Sequence, residues 1–212
     1  MKLYSYFRSS ASYRVRIALA LKGLDADIIP INLLKGEQKS DDYLAINPQG
    51  LIPSLQVDDA VLSQSLAIIE YLEEVDNTVP LLPSDAIGRA TVRAMAQLIA
   101  CEVHPLNNLR VLQYLTGELG IDDTTKMAWY AHWIHQGFAS LEMMLKQHAG
   151  KFCYGDTPTM ADCCLIPQVY NAKRFDVDIS VYPLINQIVA NCETLPAFIK
   201  AHPDHQPDTP VA

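Results

Sequence analysis

No apolar run in this 212-residue chain approaches the roughly 18 residues needed to span a bilayer, so no membrane association is expected. The first residues do not read as a secretory leader, because Arg8, Arg14 and Arg16 interrupt the apolar stretch; the expected location is the cytoplasm. Basic excess is also missing. Sixteen Lys and Arg stand against 24 Asp and Glu, a formal net charge of -8, and a general nucleic-acid binder would instead show a basic face. A small anionic ligand is still allowed, since a few local arginines override the net charge. The five cysteines (Cys101, Cys153, Cys163, Cys164, Cys192) are odd in number and have no C-x-x-C spacing. Neither a disulfide framework nor a metal site is expected from them, and most read as buried small hydrophobes. There is no repeat, low-complexity segment or long charge run.

What is present is a globular composition, half hydrophobic and 19% charged. The first eighty residues alternate strand and helix signals. Residues 2–6 read as a strand, 11–22 as a helix ended by Gly23, and 27–31 as a second strand. Residues 38–46 form a weaker helix stopped by Asn47-Pro48. Two short runs, 54–57 and 60–62, flank Asp58-Asp59 as a hairpin, and 65–74 carries the spacing of one helical face. The order βαβ then αββα makes a small α/β domain. The proline-punctuated stretch Val79-Pro80-Leu81-Leu82-Pro83-Ser84 marks its end. Beyond it, residues 87–111, 126–148, 160–171 and 185–192 read as helices, and the tail from His202 as irregular. The expected fold class is α/β plus all-α, with domains at 1–80 and 86–212. Thr159 with Asp162 three residues on reads as a capping box that serves folding.

The most informative stretch is Phe7-Arg8-Ser9-Ser10-Ala11-Ser12-Tyr13-Arg14-Val15-Arg16. It places two hydroxyls where a strand turns into a helix. A helix N-terminus carries unpaired N–H groups and the positive end of the dipole, so it stabilises an anion such as a thiolate. The competing reading is that Ser9 and Ser10 merely cap the helix, as serines do well. Ser65 also begins a helix, with Ile68 where a capping box would have Glu; an external carboxylate could bind there. Arg14 and Arg16 read as helix-surface residues.

This chain resembles the zeta class of the glutathione transferases. Arg8 to Arg16 is similar to that class's S-S-C-x-x-R-V-R signature, with Ala11 at the usual cysteine. Asn47-Pro48-Gln49-Gly50-Leu51-Ile52-Pro53 is similar to the family's loop before the third strand. Gln64-Ser65-Leu66-Ala67-Ile68-Ile69-Glu70-Tyr71-Leu72 is similar to its γ-glutamyl-binding turn and helix. Gly155-Asp156 with Thr159-Met160-Ala161-Asp162, Tyr170-Asn171-Ala172-Lys173-Arg174-Phe175 and Gln206-Pro207-Asp208-Thr209-Pro210 also match.

The resemblance implies an N-terminal thioredoxin-like domain followed by an all-helical glutathione-transferase C-terminal domain, and a homodimer. It implies glutathione as cofactor and cis–trans isomerisation of a maleyl keto acid, maleylacetoacetate or maleylpyruvate, in the breakdown of tyrosine and other aromatic compounds. Alternatives are a transferase acting on small α-haloacids and a non-catalytic binding module of the same fold. For the isomerase, the resemblance implies catalytic roles for Ser9, Ser10 and Arg8. Glutathione would be held by Ser9, Ser10, Ile52, Pro53 (through a cis Ile52–Pro53 bond), Gln64, Ser65, His104 and Asn108. Arg8, Arg110 and Arg174 would bind the dicarboxylate substrate, since guanidinium forks hold carboxylates bidentately.

Overall fold

The computed structural model describes residues 1–210. Its contacts form two compact units, Met1–Leu81 together with the segment that starts at Glu193, and Leu82–Cys192. That division differs from the expected 1–80 and 86–212, because the C-terminal segment packs with the first unit instead of the second.

The first unit is built on a four-stranded sheet in the order β2-β1-β3-β4: β1 Lys2–Ser5, β2 Asp27–Pro30, β3 Ser54–Val57 and β4 Ala60–Ser63. β1 pairs parallel with β2 and antiparallel with β3, and β3 pairs antiparallel with β4. Helix α1 (Ser10–Lys22) follows β1, α2 (Asp41–Ile46) precedes β3, and α3 (Ser65–Val75) follows β4. Gly23 ends α1 in the left-handed conformation (φ 66°), donating to the Ala20 and Leu19 carbonyls. The weak helix expected over 38–46 is the end of a 3₁₀ turn, Glu37–Lys39, followed by α2; another 3₁₀ turn, Leu33–Lys35, precedes them. Ser40 caps α2, and Asn47 ends it in an extended conformation.

Helix α1 is buried nearly all round, and Arg14 and Arg16 are 2% and 4% exposed. They are therefore not the surface residues expected from sequence. A helix enclosed on all sides has no polar face to reveal by periodicity. Arg16 is satisfied by the carbonyls of Ala201 (3.1 Å), Tyr6 (3.4 Å) and Phe7 (3.0 Å) and by Ser5 Oγ (3.1 Å).

The second unit is helical: α4 Ala86–Gln97, α5 Leu109–Gly117, α6 Asp123–His148, α7 Met160–Arg174 and α8 Pro183–Glu193. Residues 87–111 are not one continuous helix. A π-helical stretch, Leu98–Val103, and a 3₁₀ turn, His104–Asn107, interrupt them. Pro105 has no N–H to continue the ladder, and Asn108 restarts it by accepting from Arg110 N (3.2 Å). The expected capping box is present. Buried Asp162 accepts from Thr159 N (2.7 Å), Thr159 Oγ1 (2.9 Å) and Cys153 N (2.9 Å), while burial pushes its carboxyl up. Four cysteines are buried and Cys101 is exposed, all as free thiols.

The tail from His202, expected to be irregular, holds only a single 3₁₀ turn among the described residues, and a short helix that the sequence reading did not place lies just before it. Helix α9 (Pro196–Ala201) packs on α1, and a 3₁₀ turn, Pro203–His205, follows it. Among the described residues no helix is long and apolar enough to cross a membrane.

Candidate active site

Sheet topology gathers one set of the sequence-selected residues. β1 and β4 run in the same direction and β3 runs against them. The segments leaving β1 and β4 therefore emerge at the edge where β3 begins. That edge carries Arg8, Ser9 and Ser10 after β1, Ile52 and Pro53 before β3, and Gln64 and Ser65 after β4. A cluster of Tyr6, Phe7, Tyr43 and Ile52, with Tyr4, Ile31, Leu33 and Ile46 against it, packs the β1 exit onto the β3 entry.

Ser9 is the N-cap of α1, and its Oγ accepts from Ser12 N at 3.2 Å. Capping does not use up the hydroxyl, which has two lone pairs and one O–H. One lone pair takes the Ser12 N–H, and the O–H remains to donate to an anion in front of the helix. Ser10 is the first helical residue and is buried, while Arg8 is exposed with its guanidinium 4.8 Å from the Phe7 ring centre.

The Ile52–Pro53 bond is cis, as the resemblance implies. The loop before it is tied down by side chains. Tyr43 OH donates to Leu51 O (2.7 Å), and Asn47 Nδ2 donates to the same carbonyl (2.8 Å) and to Ser54 Oγ (3.1 Å). Burial raises the Tyr43 phenol, which keeps it a donor. Gly50 turns this loop at φ 61°.

Ser65 lies one residue further into α3 than a cap. The N-cap is Gln64, at φ 69° and ψ 116°, and it makes no side-chain cap bond. The first turn of α3 has no acidic side chain, so its leading N–H groups are open to an external carboxylate. Gln64 Nε2 instead donates to Gln49 Oε1 (2.9 Å), and Ser65 Oγ accepts from Arg14 Nη1 (3.2 Å). These features fit a tripeptide thiol: a hydroxyl donor and helix dipole for a thiolate, and an uncapped helix start for a carboxylate.

The second unit holds the remaining residues. Asn108 Oδ1 accepts from Arg110 N, which turns Nδ2 toward His104 Nε2 at 3.4 Å and makes that ring nitrogen the acceptor. Arg110 is exposed in the first turn of α5. Arg174, the last residue of α7, is exposed and stacks 4.4 Å over the Phe175 ring. Phe175 packs against Tyr130, whose carbonyl accepts from Asn107 Nδ2 (3.1 Å). The Arg174 end of α7 and the His104–Asn107 turn thus meet the same residue of α6.

Sequence reasoning did not single out Arg14, Arg16, Gln49 or Asp208 as parts of this region. Gln49 and Asp208 lie inside quoted motifs, so their positions were visible. What they bond, 15 and 201 residues away, was not.

A serine-capped helix start, a cis-proline loop at the β3 entry and a second helix start without an acidic cap thus lie together at one end of the sheet. Residues 8–75 match the model of the glutathione S-transferase N-terminal domain. A probable maleylacetoacetate isomerase of Vibrio cholerae is 49% identical over 208 residues, 97% of each chain. The holo structure of a zeta-class maleylpyruvate isomerase matches with a TM-score of 0.97 and 47% identity, covering 99% of this chain and 100% of that one. A maleylacetoacetate isomerase from Methylobacterium extorquens AM1, with malonate and glutathione bound, matches at a TM-score of 0.95 and 40% identity over the whole of both chains. This chain belongs to the zeta class of the glutathione S-transferases, among the maleylacetoacetate and maleylpyruvate isomerases.

Proposed function

We propose that this chain is a glutathione-dependent cis–trans isomerase of a maleyl keto acid, maleylacetoacetate or maleylpyruvate. The observation that carries the reading is the pairing of the Ser9 hydroxyl with the uncapped start of α3 on one edge of the sheet. Relatives that cover nearly all of the chain and bear those activities in their names support it.

When bound, glutathione supplies a thiolate that adds reversibly to the conjugated double bond, allowing rotation about a single bond. Ser9 Oγ–H donates to that sulfur and, with the dipole of α1, lowers the thiol pKa. Ser10 assists from the same helix start, and Arg8 adds positive charge beside it. Ile52, ahead of Pro53, presents backbone N–H and C=O groups to the tripeptide in the manner of an added strand. Gln64, Ser65 and the leading N–H groups of α3 hold the γ-glutamyl carboxylate, and His104 and Asn108 contact the cofactor. Arg8, Arg110 and Arg174 receive the carboxylates of the dianionic substrate. Ala11 in place of the class's cysteine is compatible with this chemistry, because the sulfur comes from the cofactor.

The test mixes the protein with limiting glutathione and a maleyl keto acid and follows trans product and free thiol together. Many turnovers per glutathione at constant thiol are expected. One-for-one loss of thiol would make the protein a conjugating transferase, and no trans product from either substrate would leave a binding module. In the same assay, Arg110→Ala and Arg174→Ala are expected to weaken KM or kcat for the maleyl acid and leave glutathione affinity nearly unchanged. Equal losses for both ligands would remove the substrate-specific roles.

The proposal includes a cytoplasmic homodimer. Ile87 on α4 and Met143 on α6 are 81% and 56% exposed beside a groove that also takes in Ala90, Ala94 and Met144. Association would cover that apolar surface. Sedimentation as a single 23.6 kDa species would remove the dimer.

A further inference from the structure

Between β1 and α1 the chain makes one four-residue turn, Tyr6-Phe7-Arg8-Ser9, closed by Ser9 N donating to Tyr6 O at 2.9 Å. This turn aims the Ser9 hydroxyl, and both peptide groups of Phe7 within it are held from outside. Phe7 O accepts from Arg16 Nη2 at 3.0 Å, and Phe7 N donates to Asp208 Oδ2 at 2.9 Å. Arg16 also donates to Ala201 O, at the end of α9. The two grips therefore tie the turn to the C-terminal segment at two points.

That segment is itself built to present Asp208. Gln206 Nε2 caps the end of α9 through Lys200 O (3.1 Å) and His202 O (2.9 Å), and Thr209 N donates to Gln206 O (3.1 Å). Thr209 Oγ1 bonds back to Pro203 O. Asp208 is only half-buried, yet its second oxygen, Oδ1, is shielded from water without a hydrogen-bond partner among the described residues. Giving up hydration of a carboxylate oxygen is unfavourable for folding alone. What the arrangement achieves is a charge-assisted bond to the one peptide N–H that lies two residues before Ser9.

We propose that Asp208 is a positioning residue for isomerisation: the C-terminal segment clamps the turn that aims Ser9, with Arg16 as the opposing jaw. The inference rests on the reading of Ser9 as the donor to the glutathione thiolate. Catalysis needs that donor held within a fraction of an ångström, and a misplacement of about 1 Å costs on the order of a hundredfold. Asp208 acts only through the turn and touches no reacting atom. A merely structural staple would instead affect melting and leave the chemistry of each folded molecule unchanged.

The test compares the full-length wild type with Asp208→Ala and Asp208→Asn. Asn keeps a carbonyl oxygen that accepts from Phe7 N–H but loses the charge. Three readouts are taken: kcat against KM for the maleyl acid, the thiol pKa of bound glutathione from thiolate absorbance, and hydrogen exchange of residues 6–10 in the free protein. Asp208→Ala is expected to lower kcat about ten- to a hundredfold, raise the bound thiol pKa and speed exchange in the turn. Asp208→Asn should fall between it and the wild type in all three. Thr209→Ala, which loosens the tail without touching the turn, should lower melting temperature more than kcat. Wild-type kcat and thiol pKa in Asp208→Ala would overturn the proposal. If that variant does not fold, wild-type values in Asp208→Asn together with unchanged exchange would do the same. Wild-type protein that fails to isomerise would instead overturn the function, and the exchange result would still report whether the clamp exists.

Discussion

Ser9→Ala is expected to cut isomerase turnover about ten- to a hundredfold while the protein stays folded. The lost interaction is a hydrogen bond to a charged sulfur, and such bonds are worth roughly 1.5–3 kcal/mol. Applied to the barrier, that range gives the stated loss of rate. The substitution also removes the cap bond from Ser12 N, at a cost of about 0.5–2 kcal/mol in stability. The two effects separate by measurement. Turnover of folded protein reports the thiolate donor, and the denaturation midpoint reports the cap. The bound thiol pKa should rise in the variant, so its rate should recover partly as pH is raised. Loss of stability with turnover near wild type would leave Ser9 as a cap only and move the donor role to Ser10.

Glu73→Ala is expected to destabilise the first unit by about 3–5 kcal/mol, the usual cost of leaving a buried ion without its partner. Lys22 Nζ lies 2.7 Å from Glu73 Oε2, with side-chain exposures of 0% and 4%. The pair joins the end of α1 to the last turns of α3. It also organises the chain that leaves the unit. Lys22 Nζ donates to Asp76 O (2.7 Å) and Val79 O (3.0 Å), while Glu73 Oε2 accepts from Leu81 N (2.9 Å). Deleting Glu73 therefore leaves the Lys22 ammonium without a counter-charge, held by two carbonyls alone, and the Leu81 N–H without its carboxylate acceptor. Replacing both partners by apolar residues, Lys22→Met with Glu73→Leu, should recover part of the loss. Full recovery is not expected, because the Asp76 and Val79 carbonyls and the Leu81 N–H still lose their partner. The check is urea denaturation of the single and double variants. A single-variant cost below about 1 kcal/mol would mean that water reaches the pair, as at an exposed salt bridge.

Much of the framework is local chemistry and was legible in the chain. The strand starts, the Gly23 stop, the Thr159–Asp162 box and the hairpin at Asp58-Asp59 each depend on a few neighbouring residues. The break after α4 is not legible in the sequence, because apolar periodicity runs through 87–111. Pro105 and Asn108, which break it, sit inside an otherwise helical pattern. Ser65 begins α3 as its sequence suggests, but that Gln64 holds the cap position is visible only in the backbone dihedrals.

By itself, the sequence determined the order of elements, the residues of the candidate site and the family to which they belong. Turn and cap preferences act over three or four residues, and a motif keeps its spacing whatever surrounds it. The tertiary structure decided which of those residues share the sheet edge, that Arg14 and Arg16 are buried instead of exposed, and that Lys22 finds Glu73. It also decided that the tail returns to the first unit, with Asp208 reaching Phe7 across 201 positions of sequence. The physical reason is the same in each case. A buried charge is tolerated only where a partner is brought to it, and folding supplies that partner from a distance at which the sequence carries no periodic signal.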